Sequence, residues 1–199
     1  LGDVYKRQIS SIKNIYLMLL NSKKVNIGMH AKDFKLKNVD NQIYTLDDIK
    51  KINGFVIAFI CNHCPYVKDL ITRLVDDFNV LLKQDIGVAA VMPNDYKAYP
   101  EDSFENMVKF ANNNNFSFPY LFDYKQEVAK SYGAVCTPDF FCFDNRNKLF
   151  YRGRLDNVKF KANFLEREKS IINAYDKMIK ENSLVTKQFS SMGCSIKWR

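Results

Sequence analysis

The chain has 199 residues, enough for one domain with a substantial hydrophobic core, and 47% of them are apolar, which excludes wholesale disorder. Its formal charge is +8, but the lysines are scattered without a run of five or six and no nucleic-acid motif accompanies them, so no nucleic-acid partner is expected. The apolar stretch Ile15 to Leu20 falls short of the ~20 residues that span a bilayer and no cleavage pattern comes after it; the expectation is a cytoplasmic protein without a membrane partner.

Residues 1–8 read as a cloning or assembly remnant and Met18 as a start methionine, so residues 1–17 carry no fold expectation. The first predicted element is a hairpin, with Phe34, Leu36 and Val39 before the polar turn Asp40-Asn41-Gln42 and Ile43-Tyr44 after it. Thr45-Leu46-Asp47-Asp48 resembles a capping box and predicts a short helix to about Lys51, broken at Asn53-Gly54. Phe55 to Ile60 contains no polar residue and predicts a central strand covered on both faces. Cys64, Val67, Ile71, Leu74, Phe78, Leu81 and Leu82 then recur near helical spacing to about Lys83, with Pro65 tolerated in the first turn.

Val88 to Met92 reads as a second buried strand, and Pro93 to Pro100 as a polar, aromatic loop. Asp102 or Ser103 can cap a helix holding Phe104, Met107, Val108 and Phe110, which Asn112 to Asn115 ends. An extended aromatic piece, Phe116 to Phe122, precedes a short helix from Lys125 to Tyr132, capped by Asp123 and closed by Gly133. Cys136-Thr137-Pro138 leads into a second hairpin, Asp139 to Phe143 and Lys148 to Arg152, and a last amphipathic helix is expected from about Asn163 to Glu181. The order predicts an α/β fold, a central mixed β-sheet flanked by helices with an N-terminal hairpin. One domain is expected over 25–182, with residues 1–24 as an extension and 183–199 as a tail docked on or near it.

The chemistry centres on Cys61-Asn62-His63-Cys64 at a strand–helix junction. Five cysteines in a chain of this length do not make a disulfide-stapled scaffold, whereas one CxxC at such a junction reads as a redox pair. The open amides of the helix N-terminus favour a thiolate, which predicts a lowered pKa for Cys61 at the exposed edge, with Cys64 turned inward. Cys61 is then the nucleophile toward a disulfide or peroxide, and Cys64 the resolving thiol. His63 either stabilises the thiolate or is an exposed loop histidine without a role. No cofactor and no metal are expected for this chemistry. A copper carrier using Cys61, Cys64 and His63 is the alternative binding reading, since copper(I) accepts few soft ligands.

The CxxC, the Thr137-Pro138 that comes after it before a hairpin, and the longer motifs FICNHCPYVK (59–68), NDYKAYPEDS (94–103), FPYLFD (118–123), QEVAKSYGAVCTPDFF (126–141), YRGR (151–154) and SMGCSIKW (191–198) resemble the thioredoxin superfamily, in its redoxin or AhpC/TSA (peroxiredoxin-like) branch. The resemblance spans residues 25–199 and implies a thioredoxin-like fold. It implies a thiol–disulfide oxidoreductase or antioxidant protein, with a thiol-dependent peroxidase as the alternative. It implies a disulfide or peroxide substrate and an external thiol reductant, and Pro138 as a cis-proline facing the dithiol. Asn62, Pro65, Thr137 and Pro138 then form the rim of the site, and Asn94, Asp95 and Tyr96 either shape it or are structural.

Two departures are visible. The Thr or Ser and the Pro that peroxiredoxins place three and seven residues before their cysteine are replaced by Ala58 and Gly54 counted from Cys61, and by Cys61 and Ile57 counted from Cys64. The strand before the CxxC also lacks the buried acid of many thioredoxins, which leaves His63, Asp139 or water to move the proton. Cys136 and Cys194 are candidate accessory thiols, the first alternatively a buried small hydrophobe and the second part of a docked structural tail. Cys142 reads as packing. Arg152 and Arg154 either support the thiolate or lie on a solvated face.

Overall fold

A computed structural model of the chain describes residues 19–22, 27–162, 166–180, 185 and 187–199. The strands among them are β1 (Leu19–Asn21), β2 (Lys35–Asn38), β3 (Ile43–Thr45), β4 (Phe55–Phe59), β5 (Gly87–Met92), β6 (Tyr120–Phe122), β7 (Cys136–Thr137), β8 (Asp139–Phe143), β9 (Leu149–Gly153) and β10 (Met192–Ser195). The helices are α1 (Leu46–Ile49), α2 (Pro65–Lys83), α3 (Phe104–Asn113), α4 (Glu127–Tyr132) and α5 (Ser170–Lys180), with a 3₁₀ turn at Pro100–Asp102.

The main sheet has the order β3-β2-β6-β5-β4-β8-β9. β4 is central: it runs parallel to β5 and antiparallel to β8, and every residue in it is buried. Alternation along β4 divides the core into two layers. Val56 and Ala58 pack with α2, α3 and α5, while Phe55, Ile57 and Phe59 pack with α1, α4 and the first hairpin. That two-sided burial is why Phe55 to Ile60 has no polar residue.

Local chemistry explains the element ends. The Asp40–Gln42 turn joins β2 to β3, with Asp40 Oδ1 accepting from the Gln42 amide at 2.8 Å and Asn41 at φ 70°. Thr45 and Asp48 form a reciprocal capping box on α1. Pro65 occupies the first turn of α2, where its missing N–H costs no helical bond. Ser103 accepts from the Asn106 amide at 3.4 Å and caps α3. Gly133 closes α4 at φ +67°, a left-handed cap that disfavours other residues.

Several boundaries differ from the sequence expectation. The last helix begins at Ser170 rather than Asn163, because Arg167, just ahead of it, is drawn into ion pairs with Asp156 (2.6 Å) and Asp77 (2.5 Å) on α2. Phe164, Leu165 and Glu181 lie outside the described residues. α4 starts at Glu127, after Gln126 in a left-handed conformation; Asp123 still serves its N-terminus by accepting from the Ala129 amide at 2.8 Å.

The largest difference is at the two ends of the domain. The sequence suggests a tail over 183–199 docked on or near the domain and an extension over 1–24; within them, β10 lies between β1 and β7 in a second sheet of order β1-β10-β7. Leu19–Asn21 and the tail are therefore paired strands, joined by Ser22 N–Ser191 O (2.9 Å) and Ser191 N–Ser22 Oγ (3.0 Å).

Candidate active site

The end of β4 and the first turn of α2 bring Cys61 and Cys64 against β7. The Thr137–Pro138 peptide is cis, as the resemblance implied. Cys61 Sγ lies 3.3 Å from Thr137 Oγ1, and Cys64 Sγ lies 3.2 Å from the Thr137 carbonyl oxygen. Both cysteines have 0% exposure, which corrects the expectation that Cys61 sits at an exposed edge. Cys61 lies just past the end of β4 and points into the layer beneath α2.

The direction of the Cys61 shift also differs from that expectation. Burial pushes the Cys61 thiol well up, and the neighbouring Cys64 and the Asp102 carboxylate add to that. Burial pushes Cys64 up too, but hydrogen bonds from Cys194 and Cys61, the Val67 amide in the first turn of α2 and the Cys194 backbone outweigh it and bring it below the ordinary thiol range. As a thiol Cys64 can donate to the Thr137 carbonyl; as a thiolate it gathers the other partners. The helix N-terminus therefore acts on its own N-cap residue, Cys64, and not on Cys61 three residues earlier.

His63 is neither free nor exposed in a loop. Its Nδ1–H donates to Asp102 Oδ2 at 2.7 Å, and its ring stacks on Tyr99 at 5.5 Å between centroids. The Asp102 bond raises the His63 pKa against the opposing effect of burial. Asp102 is fully buried and accepts three further bonds: from the Asn62 amide (2.8 Å), the His63 amide (3.3 Å) and Asn94 Nδ2 (2.8 Å). This carboxylate is the buried acid missing from β4, supplied by the 3₁₀ turn. Sequence spacing alone makes it a helix-cap candidate, about 40 residues from the dithiol; its signal is membership, with Asn94, of the NDYKAYPEDS motif.

Asn62, expected on the rim, is buried beneath it. Its amide nitrogen donates to Glu101 O at 2.9 Å and its carbonyl accepts from Tyr120 Oη at 2.8 Å, so it fixes the loop between the cysteines. Pro65 is half-buried in the first turn of α2, Thr137 is fully buried against the sulfurs rather than on a rim, and Pro138 borders a cavity of about 280 Å³ that Tyr66, Phe160 and Met192 also line. Asn94 is structural to the site: its carbonyl accepts from the Lys197 amide at 2.9 Å, tying the tail to Asp102. Asp95 holds the same segment through its amide, which donates to Lys197 O at 2.8 Å, while Tyr96 packs on Phe122.

Cys136 is buried one residue from Thr137, and burial raises its thiol pKa. Cys142 is buried in the core. Cys194 is the partly exposed member of the group, at the dithiol rather than remote from it. Arg152 is not on a solvated face: it is buried, pairs with Asp139 at 2.7 Å and lies 4.3 Å from the Phe141 ring centre. Asp139, a candidate proton carrier by sequence, is engaged in that pair, and burial raises its pKa to about 6 despite Arg152. Arg154 pairs with Glu168 at 3.3 Å.

Among the described residues, the group whose ligating atoms could gather a metal is Cys61, His63 and Asp102, within 4.8 Å of one another. Both Asp102 oxygens are already saturated by the four donors named above, and the group fits a hydrogen-bonded proton site better than a cation site.

The AhpC/TSA family matches residues 27–152. A comparison with curated proteins finds no match. Among solved structures, an uncharacterised conserved protein from Geobacillus kaustophilus is 42% identical with a TM-score of 0.87, covering 91% of this chain and 96% of its own. The thioredoxin domain of a thiol-disulfide oxidoreductase from Bacteroides vulgatus is 14% identical with a TM-score of 0.60, covering 78% of this chain and 99% of its own. The peroxidoxin BcpB from Mycobacterium tuberculosis is 15% identical with a TM-score of 0.55, covering 77% of this chain and 93% of its own. The last two likenesses establish a thioredoxin-like fold, and the match over 27–152 makes the chain a member of the AhpC/TSA family.

Proposed function

We propose that the protein is a thiol–disulfide oxidoreductase in which Cys64 is the attacking thiolate and Cys61 the resolving thiol. The observation that carries this is the placement of Cys64 as N-cap of α2, where the first turn of the helix favours a thiolate. Cys64 attacks one sulfur of a substrate disulfide, the S–S bond breaks and the departing thiolate takes a proton. Cys61 then gives up its proton and attacks the Cys64 sulfur, so that the second substrate thiol leaves and a Cys61–Cys64 disulfide remains. An external thiol reductant restores the pair.

His63, tied to Asp102 through Nδ1 and grouped with Cys61 within 4.8 Å, is the acceptor for the Cys61 proton when its imidazole is neutral. Without it, resolution would face a thiol whose pKa burial has raised.

Insulin-disulfide reduction and hydrogen peroxide consumption, each measured with a dithiol donor, test the reading side by side. The expected result is disulfide reduction that disappears in Cys64→Ser and falls in Cys61→Ser, where the Cys61–Cys64 disulfide cannot form. Turnover of peroxide without turnover of disulfides would move the assignment to a thiol-dependent peroxidase. Full disulfide-reducing activity in Cys64→Ser would sink both.

A further inference from the structure

β10 lies on β7 as an added strand. Its register pairs Cys194 with Thr137 and Ser195 with Cys136 in antiparallel sense. Thr137 therefore has Cys61 against its hydroxyl, Cys64 against its carbonyl and Cys194 as its strand partner, which places all three cysteines around one residue.

Access matters as much as proximity. Cys61 and Cys64 have no exposure, whereas Cys194 is partly exposed. The strand that covers the pair is firmly held. A side chain at Gly193 would run into the Thr137 carbonyl and the Pro138 ring, so the two strands approach as closely as glycine allows. On the far side, the Ile196 amide bonds Val135 O at 2.9 Å, the Lys197 carbonyl accepts from Gln126 Nε2 at 2.7 Å and the Arg199 amide bonds Gln126 Oε1 at 2.9 Å.

We propose that Cys194 is a third redox thiol, through which the covered Cys61–Cys64 pair exchanges electrons with thiols and disulfides outside. The proposal rests on the dithiol reading above and adds the route. With Cys61 and Cys64 oxidised, Cys194 Sγ attacks Cys64 Sγ. The Cys64–Cys194 bond forms and the Cys61–Cys64 bond breaks. The electron pair stays on Cys61, which takes up a proton as Cys194 loses one. An external thiol then attacks Cys194, freeing Cys64 as a thiolate and leaving a mixed disulfide at the surface. A second external thiol releases the external disulfide and reduced Cys194. Two external thiols are oxidised and the pair is reduced by two electrons; the reverse sequence oxidises the pair with an external disulfide.

The test uses the full chain. Cys61→Ser is oxidised with glutathione disulfide, quenched in acid, alkylated and mapped by mass spectrometry. A Cys64–Cys194 disulfide is expected. Cys194→Ser is expected to keep the Cys61–Cys64 disulfide and its equilibrium with glutathione, while its reduction by glutathione slows about tenfold or more, because the surface thiol is gone. Gly193→Val, which keeps all three thiols but displaces β10, should lose the Cys64–Cys194 bridge in the Cys61→Ser background, with a thermal melt confirming that it folds. A Cys64–glutathione adduct beside a free Cys194 in Cys61→Ser would overturn the relay. So would an unchanged or faster reduction of Cys194→Ser, which would make β10 a cover that opens. Absence of a Cys61–Cys64 disulfide in oxidised Cys194→Ser overturns the dithiol reading itself.

Discussion

Asp102 sets the protonation of the site from outside the CxxC. Its bond to His63 Nδ1 raises the imidazole pKa, so Asp102→Asn should lower it, as NMR titration of the His63 ring would show. A histidine whose folded pKa is raised contributes stability that is full below its unfolded value of ~6.5 and fades as pH rises through the folded pKa. Cys64 works the other way: its lowered pKa contributes stability that is full above the free-thiol value of ~8.5 and is lost as pH falls through the folded pKa. The thiolate ultraviolet absorbance of reduced protein should therefore persist well below ~8.5, and should vanish there in Cys64→Ser. In Cys61→Ser it should remain; its disappearance from that variant alone would return the thiolate to Cys61.

At the scale of elements, the buried Asp139–Arg152 pair fastens β8 to β9 beside the site. Arg152 also donates to Gly133 O at 2.9 Å and so ties that pair of strands to the end of α4. Arg152→Met should destabilise the fold by about 3–5 kcal/mol in urea titration, because Asp139 is left charged and unpaired in the core. The loss should shrink toward low pH, since Asp139, with a pKa already raised to about 6, then protonates and no longer needs the partner. On α2, Leu74 is wholly buried among the residues facing Val56 and Ala58. Leu74→Ala should cost about 2–5 kcal/mol, and the same helix carries the N-cap that holds Cys64.

Across the whole molecule, β1 and β10 lie over the dithiol as a small sheet with β7. Gln126 is the clasp: its side chain bonds Pro93 O at 2.7 Å, Lys197 O at 2.7 Å and the Arg199 amide at 2.9 Å. Gln126→Ala removes these three bonds, leaving the Lys197 carbonyl with the Asp95 amide alone, and a loss of about 1–3 kcal/mol is expected. Amide hydrogen exchange over 192–197 should accelerate in this variant while that of β4 changes little, as the local release of a strand from an intact core requires. Uniform acceleration would mean instead that the tail is an integral part of the global folding unit.

The chain by itself determined the features that period, composition and turn chemistry dictate: the all-apolar β4, the amphipathic α2 with Pro65 in its first turn, the Thr45–Asp48 box, the Gly133 stop and the dithiol at a strand–helix junction. Each depends on residues close together in the chain, so local spacing suffices to reveal it. Tertiary structure decided the surroundings of the dithiol. The pKa directions of the two thiols depend on burial and on Cys194, about 130 residues away, and the acid that serves His63 comes from a turn about 40 residues further on. Sequence periodicity carries no record of such long-range partners. The burial of Cys61, the pairing of Arg152 with Asp139 and the laying of β10 across Thr137 were settled by packing, where removal from water makes each unpartnered polar group costly and so selects the arrangement that pairs them.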